Sequence, residues 1–225
     1  MIIWLASYPR SGNSYVALLL KHYFNIPVYS VYTYSTKSRS CLEIIGFHDK
    51  HLSLEHMEES DEYFFVKTHE LPSDDYPSLY VVRDGRDVIV SYTHYIRNFQ
   101  EQHKEYTVFE TMHDLIINPG YFHGWSAHIQ AWLNRKSPVS MIKYEQLLSN
   151  ADPSKTLGDA LSTIGINMPD PIRTDCPPDF TLLHEIQPDF FQSGTPGKWR
   201  QEMPPELQRL FYKEHGDILY KMGYV

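Results

Sequence analysis

The stretch from Met1 to Phe24 constrains the fold more than any other. Ile2-Ile3-Trp4-Leu5-Ala6 is an apolar run too short for a helix and reads as a buried strand. Ser7-Tyr8-Pro9-Arg10-Ser11-Gly12-Asn13 is turn-forming and carries one cation. Ser14 to Phe24 then places Val16, Leu19, Leu20 and Tyr23 at helical spacing. A strand, a tight polar loop and a helix together aim backbone N–H groups and a helix N-terminus at an anion. Gly12 permits a tight backbone or a positive φ, and Arg10 adds a full charge on a planar fork of donors. The loop carries neither G-x-x-x-x-G-K-[ST] nor G-x-G-x-x-G. Taken by itself, the segment also suits a plain strand–turn–helix with no ligand.

Two further apolar runs end in chemistry-bearing residues. Tyr63-Phe64-Phe65-Val66 predicts a strand leading into Lys67-Thr68-His69, and extended geometry points Lys67 and His69 to one side. In open α/β sheets ligands bind at the carboxyl ends of strands. Ser78 to Val82 predicts another strand. It is followed by Arg83-Asp84-Gly85-Arg86-Asp87 and a helix to about Asn98, with Asp84 as N-cap and Val88, Tyr92 and Tyr95 on one face. Arg86 is read as an ion-pair partner of Asp84 or Asp87. Pro138 to Lys143 predicts a fourth strand, running into Tyr144.

The remaining segments read as scaffold and loops. Residues 51–60 suggest a short helix, and Tyr29, Tyr32 and Tyr34 an irregular aromatic loop or an edge strand. Those tyrosines suit either packing or the wall of an acceptor pocket. Thr107 to Ile117 is helical and broken by Asn118-Pro119-Gly120. Gly124 to Leu133 is a firmer helix, with Trp125, Ile129 and Trp132 on a core stripe and His128 beside it. Lys155 to Ile164 is a helix with Thr156, Leu157, Ala160, Leu161 and Ile164 inward, closed by Gly165. Pro204 to Met222 is a long packing helix ended by Gly223.

Composition narrows the function. A chain of 225 residues can bury one good core, so one domain over 1–225 is expected. A formal net charge of −8 argues against a broad nucleic-acid or anionic-membrane surface, while allowing a local cationic pocket for a small polyanion. Cys41 and Cys176 form neither a disulfide framework nor a zinc pattern, which points to a reducing cytoplasm. No signal peptide and no membrane span is expected. His48, His51 and His56 lack the spacing of a helical zinc site, so no metal is expected.

Five segments, in order, resemble the family of sulfotransferases that use 3′-phosphoadenosine-5′-phosphosulfate (PAPS). Tyr8-Pro9-Arg10-Ser11-Gly12-Asn13-Ser14-Tyr15 is similar to the signature Tyr-Pro-Lys-Ser-Gly-Thr-Thr-Trp. Lys67-Thr68-His69-Glu70-Leu71-Pro72 resembles Lys-Thr-His-Leu-Pro, with Glu70 as one extra residue. Arg83 to Ser91 resembles Arg-x-Pro-x-Asp-x-x-x-Ser, with Asp87 kept and Gly85 in place of Pro. Tyr144-Glu145-Gln146 resembles Tyr-Glu-Asp, after a helix similar to Trp-x-x-His-x-x-x-Trp at Trp125, His128 and Trp132. Gln192-Ser193-Gly194-Thr195-Pro196-Gly197-Lys198-Trp199-Arg200 resembles the flap Arg-Lys-Gly-x-x-Gly-x-Trp-Lys, with its leading Arg-Lys lost.

The resemblance implies a three-layer α/β/α fold: a mainly parallel sheet of four or five strands with a P-loop-like phosphosulfate-binding loop. It implies sulfuryl transfer from PAPS, with no metal, to a hydroxyl or amine of a small-molecule or glycan acceptor. His69 would be the base, Arg10 would bind the bridging oxygen and leaving phosphate, and Lys67 would steady the sulfuryl oxygens. Arg10, Ser11, Gly12, Asn13, Ser14 and Tyr15 would hold the 5′ end. Arg83 and Ser91 would hold the 3′-phosphate, Tyr144 would lie beside the adenine, and Gly194, Gly197 and Trp199 would form the flap. Lys198, Arg200 and flap N–H groups are the candidates to make up for the lost cations. The acceptor pocket is expected from residues 29–60 and 92–124. An ATP-dependent small-molecule kinase and a catalytically degenerate nucleotide-binding module are the alternatives.

Overall fold

The structure is a computed structural model that describes residues 1–32, 44–48, 52–100, 105–186, 188, 191 and 194–225. Tyr34, Cys41, His51, Gln192 and Ser193 lie outside the described residues. Five strands form one sheet: β1 (Ile2–Ala6), β2 (Val28–Ser30), β3 (Phe64–Thr68), β4 (Ser78–Val82) and β5 (Val139–Lys143). The order is β2-β3-β1-β4-β5, and every pairing is parallel.

Sidedness follows from the two-residue period of a strand. Ile2, Trp4 and Ala6 face one layer together with Phe64, Val66, Tyr80 and Val82. Ile3 and Leu5 face the other, with Phe65, Leu79 and Val81. Both faces are therefore buried, which is why β1, β3 and β4 read as unbroken apolar runs rather than alternating ones. On the second face pack α1 (Asn13–Phe24) and, among the later elements, Leu157 and Leu161 of a helix at Pro153–Ser162. On the first face pack α3 (Gly85–Phe99), α4 (Val108–Ile117), α5 (Trp125–Asn134) and the long α10 (Pro205–Lys221). The short α2 (Leu54–Glu59) adds Met57 to that face. The expected α/β/α arrangement is thus observed, with five strands.

The differences from the sequence reading are local. Val28–Ser30 resolves as an edge strand, and Tyr29 stacks on His48 (5.1 Å between ring centroids) rather than facing a pocket. The helix expected at Lys155–Ile164 runs Pro153–Ser162, because Asp152 caps it by accepting from Lys155 N (2.9 Å) and Pro153 suits its first turn. Thr156 and Ala160, expected inward, are only half-buried, and Ser154 is buried instead. A helix at Phe180–Ile186 had no expectation in the sequence. Tyr144–Ser149 and Trp199–Glu202 are short helices in chain order before and after it.

Asp84 caps α3, its carboxylate accepting from Arg86 N (3.0 Å). Gly85, the first residue of α3, explains why proline is absent there. A Cβ at Gly85 would lie 2.4 Å from Phe211 Cζ and 2.7 Å from the Trp125 ring. Gly85→Ala is expected to destabilise the fold by about 1–3 kcal/mol, the range for overpacking a filled core. Urea denaturation checks it, and an unchanged midpoint would contradict the close approach of α5 and α10 to α3.

Candidate active site

The central strands β3, β1 and β4 each end in a cation or run into one. Lys67 stands at the end of β3, Arg10 four residues past β1, and Arg83 directly after β4. All three line one cavity of about 360 Å³. Also on its wall are Gly12, Asn13, Ser14, Tyr15, His69, Ser91, Tyr144, Gly194 and Lys198. The structure does not bring Ser11, Gly197 or Trp199 to that wall.

The loop between β1 and α1 owes its shape to two left-handed residues, Arg10 (φ 66°) and Gly12 (φ 115°). Gly12 has a second reason to lack a side chain, since its Cβ would meet Tyr144 Cδ2 at 2.6 Å. Ser11 is buried beneath the loop, with its N–H engaged by the Tyr8 carbonyl (3.2 Å). Asn13 turns its amide inward to donate to the Leu5 carbonyl (3.2 Å), so that side chain ties the loop to β1. The Ser11 N–H and the Asn13 amide NH2 are thus engaged within the protein, while Asn13 stays on the cavity wall.

Arg10 donates from Nε to Ser91 Oγ (3.2 Å) and lies over the Tyr95 ring (5.0 Å). The sequence paired Ser91 with Arg83 instead. Arg83 lies over the Tyr144 ring (4.7 Å), reaches the Arg10 carbonyl from Nη1 (3.4 Å), and has no ion pair with Asp84 or Asp87. Its Nε is a buried donor with no partner among the described residues. Tyr144 donates its hydroxyl to the Gly194 carbonyl (2.9 Å). Tyr15 and Phe180 stand 5.4 Å apart beside it and also line the cavity.

Charge is concentrated here against the cost of burying it. Burial pushes the Arg10 guanidinium down to about 10, with Arg83 adding to the shift. Burial, then the nearby Arg10 charge, pushes the Lys67 ammonium down to about 7. Both shifts mark a site that favours an arriving anion.

His69 is fixed from every side. Its Nδ1 sits 2.7 Å from the Ser7 carbonyl, which can only accept, so Nδ1 carries the proton and Nε2 keeps its lone pair. Burial, then Lys67, holds its pKa well below the usual histidine range, so the ring is neutral at pH 7. Tyr32 stacks on it (5.6 Å), Phe122 meets it edge-on (5.9 Å), and the Tyr32 hydroxyl accepts from His69 N (2.7 Å). Its carbonyl accepts from His128 Nε2 (2.8 Å), whose Nδ1 accepts from the Tyr80 hydroxyl (2.8 Å). Burial holds His128 at about 4, neutral as those bonds require. Trp132 Nε1 donates to the Glu70 carbonyl (3.1 Å), so α5 fixes the strand exit where Glu70 is the extra residue.

The flap is held by Asp87, which the sequence offered as a possible ion-pair partner of Arg86 and as the kept acid of its segment. Asp87 is buried, and its two oxygens accept from Gly197 N (2.6 Å) and Trp199 N (3.0 Å). Gly197 and Trp199 thus serve the flap from behind. The Trp199 ring lies under the guanidiniums of Arg86 (3.8 Å) and Arg200 (4.6 Å). Arg86 forms the expected ion pair with Asp84 (2.7 Å). Much of the rest of the cavity lining is aromatic: Tyr32, Tyr92, Tyr95 and Phe122, from within the expected ranges, and Phe180 and Phe191, from outside them. Only an alignment of spacing with the folded sheet could have found Asp87, because its partners stand 110 and 112 residues away.

Among known proteins, the sulfotransferase domain model matches residues 2–223. Sulfotransferase 1A1 of Rattus norvegicus is 24% identical over 178 residues, covering 65% of this chain. The match spans only 60% of that relative's length. Mouse sulfotransferase SULT7A1, solved with PAP, superposes with a TM-score of 0.63 at 19% identity, over 96% of this chain and 85% of that one. Retinol dehydratase superposes with a TM-score of 0.61 in its complex with androsterone and inactive cofactor PAP, and 0.62 in that with retinol and PAP. Both are at 16% identity and cover 97% of this chain, with 80% and 81% of the other. These likenesses are of fold.

The Lys67 shift has a thermodynamic consequence with a definite sign. Between about pH 7 and the ordinary lysine value of 10.5, the unfolded chain holds a proton on Lys67 that the folded chain does not. Its contribution to stability therefore rises with pH across that window and is flat below it. The difference in unfolding free energy between wild type and Lys67→Met, measured by urea titration from pH 6 to pH 9, is expected to shift in favour of wild type as pH rises. A pH-independent difference would contradict a depressed Lys67.

Proposed function

The chain belongs to the sulfotransferase domain family, and from that premise we propose that it moves a sulfuryl group from PAPS to an acceptor hydroxyl or amine. One observation carries this reading: a neutral imidazole with a free Nε2 lone pair shares a cavity with Arg10, Lys67 and Arg83. A base that stays neutral beside three cations suits a reaction that deprotonates a hydroxyl and receives a polyanion.

The residues fit a nucleotide with two phosphate ends. Gly12 lets the backbone approach closely, and the start of α1 offers N–H groups to the 5′ end near Asn13, Ser14 and Tyr15. Arg83, with its unpaired buried Nε, and Ser91 suit the 3′-phosphate. Tyr144, Tyr15 and Phe180 offer ring faces for the base. Gly194 belongs to the flap that Asp87 secures through Gly197 and Trp199. PAPS would supply the activated sulfuryl group.

In the proposed step the acceptor oxygen forms a bond to sulfur as the bond from sulfur to the phosphate oxygen breaks. The acceptor proton passes to His69 Nε2. Arg10 stabilises the charge that develops on the leaving phosphate, and Lys67, charged once the polyanion is present, steadies the sulfuryl oxygens. Catalysis is then mostly position and charge, as in phosphoryl transfer. Tyr32, Tyr92, Tyr95 and Phe122 form an apolar wall for the acceptor. The androsterone and retinol held by retinol dehydratase support a small hydrophobic alcohol over a glycan.

A screen of phenols, alcohols and amines with radiolabelled PAPS tests the reaction, and nucleotide binding with no transfer to any of them would favour a degenerate binding module. ATP competing as well as 3′-phosphoadenosine-5′-phosphate would favour a kinase. His69→Ala is expected to lower turnover by about 10²–10⁴ with PAPS affinity nearly kept. Single-turnover rates within a few-fold of wild type would remove His69 as base. Arg10→Ala is expected to lower the rate by roughly 10²–10³, and a larger loss of binding than of rate would make it a ground-state anchor.

A further inference from the structure

Resting on that reading, we infer that His94 and Lys198 extend, beside Arg83 and Ser91, the part of the nucleotide site that binds the 3′-phosphate monoester. In the ligand-free protein, the carboxylate of Glu202 holds that phosphate's place.

Along α3, Asp87, Ser91 and His94 recur at i, i+4 and i+7, so they share one stripe. The stripe begins at the flap, because Asp87 grips Gly197 N and Trp199 N. It continues through Ser91, where Arg10 Nε donates. His94 is therefore on the flap side of the helix, while Tyr92 and Tyr121 pack against each other away from it. His94 Nε2 lies 2.7 Å from Glu202 Oε2. A carboxylate only accepts, so Nε2 carries a proton and is aimed as a donor. Lys198 Nζ stands 3.7 Å from the other oxygen, Oε1. One carboxylate thus bridges an imidazole N–H and an ammonium.

All three side chains line the same cavity as Arg83, Ser91 and Gly194, and all remain partly exposed. The arrangement has the donors of an oxyanion site with the protein's own oxyanion in it. The flap sequence gives it a purpose. Where Arg-Lys would precede the first flap glycine, this chain has Gln192-Ser193. The flap cation that lines the cavity is Lys198, on the other side of Gly194, and His94 answers it from α3. Asp87 does not compete for these donors, because both its oxygens hold flap backbone. A phosphate dianion carries more charge and more acceptor oxygens than Glu202, so it can displace the carboxylate from both donors.

Isothermal titration of the full chain with 3′-phosphoadenosine-5′-phosphate and, separately, with adenosine 5′-monophosphate tests this. The double variant His94→Ala, Lys198→Ala is expected to lose about tenfold or more in affinity for the bisphosphate and less than about twofold for the monophosphate. Glu202→Gln, which removes the competing charge, is expected to tighten the bisphosphate by at least about threefold and leave the monophosphate unchanged. Equal losses for both nucleotides, or no loss for either, overturn the subsite while leaving the sulfuryl-transfer reading in place. Unchanged or weaker bisphosphate binding by Glu202→Gln overturns the placeholder. Wild-type protein that binds neither nucleotide removes the sulfuryl-transfer reading and this inference together.

Discussion

Like charge gathered at one edge of a sheet is the constraint on which the rest depends. Arg10, Lys67 and Arg83 come from three adjacent parallel strands and meet in one cavity. No free chain would hold them so close, and burial first, with the neighbouring cations adding to it, depresses Lys67 and Arg10. The core has to oppose that repulsion. It does so because the strands that deliver the cations are buried on both faces, so none can withdraw without opening apolar surface on each side. Packing therefore stores an electrostatic tension that a polyanion relieves. Affinity for such a ligand is built into the free protein as preorganisation rather than acquired on binding.

The same framework sets the base. Tyr80 donates to His128, and His128 to the His69 carbonyl. This chain of bonds runs from β4 through α5 to the backbone of the residue that carries the imidazole. Each donor has one acceptor, so the tautomer of His128 is determined. The orientation of His69 follows from its backbone and from the Ser7 carbonyl, itself part of the anion loop. A shift of that loop would move both the phosphate donors and the base. Register does the rest: Ala6 pairs with Thr68 and with Tyr80, so β1 and β3 exit level and β4 runs two residues further before delivering Arg83.

How much of this the sequence disclosed depended on the range of each interaction. Strands β1, β3 and β4 were legible because burial on both faces leaves an unbroken apolar signature. Asp84 and Thr107 announced helix starts within a few residues of themselves. Arg10, His69, Arg83 and Ser91 stood out only through ordered resemblance, since periodicity gives a cation no special standing. Long-range partnerships carried no local signal. Asp87 reads as an ordinary first-turn acid until the flap returns to it. Asn13 reads as a phosphate ligand until Leu5 claims its amide. His94 and Glu202 are 108 residues apart.

The substitution of Arg for Lys in the anion loop is consistent with this geometry rather than incidental to it. Residue 10 must reach Ser91 Oγ while lying across the Tyr95 ring. A planar guanidinium does both at once, donating in its plane and stacking with its face, and keeps its charge when buried. An ammonium in the same place would be a point donor with three rotatable hydrogens, and burial would discharge it more readily, as Lys67 shows. Two lysines so close would leave Arg83 to hold the cavity's fixed charge near neutral pH. With Arg10 permanently cationic, Lys67 is free to be the group whose proton arrives with the ligand. Beside Arg83, the cavity thereby combines the fixed charge of Arg10 with the adjustable one of Lys67, placed by neighbouring strands.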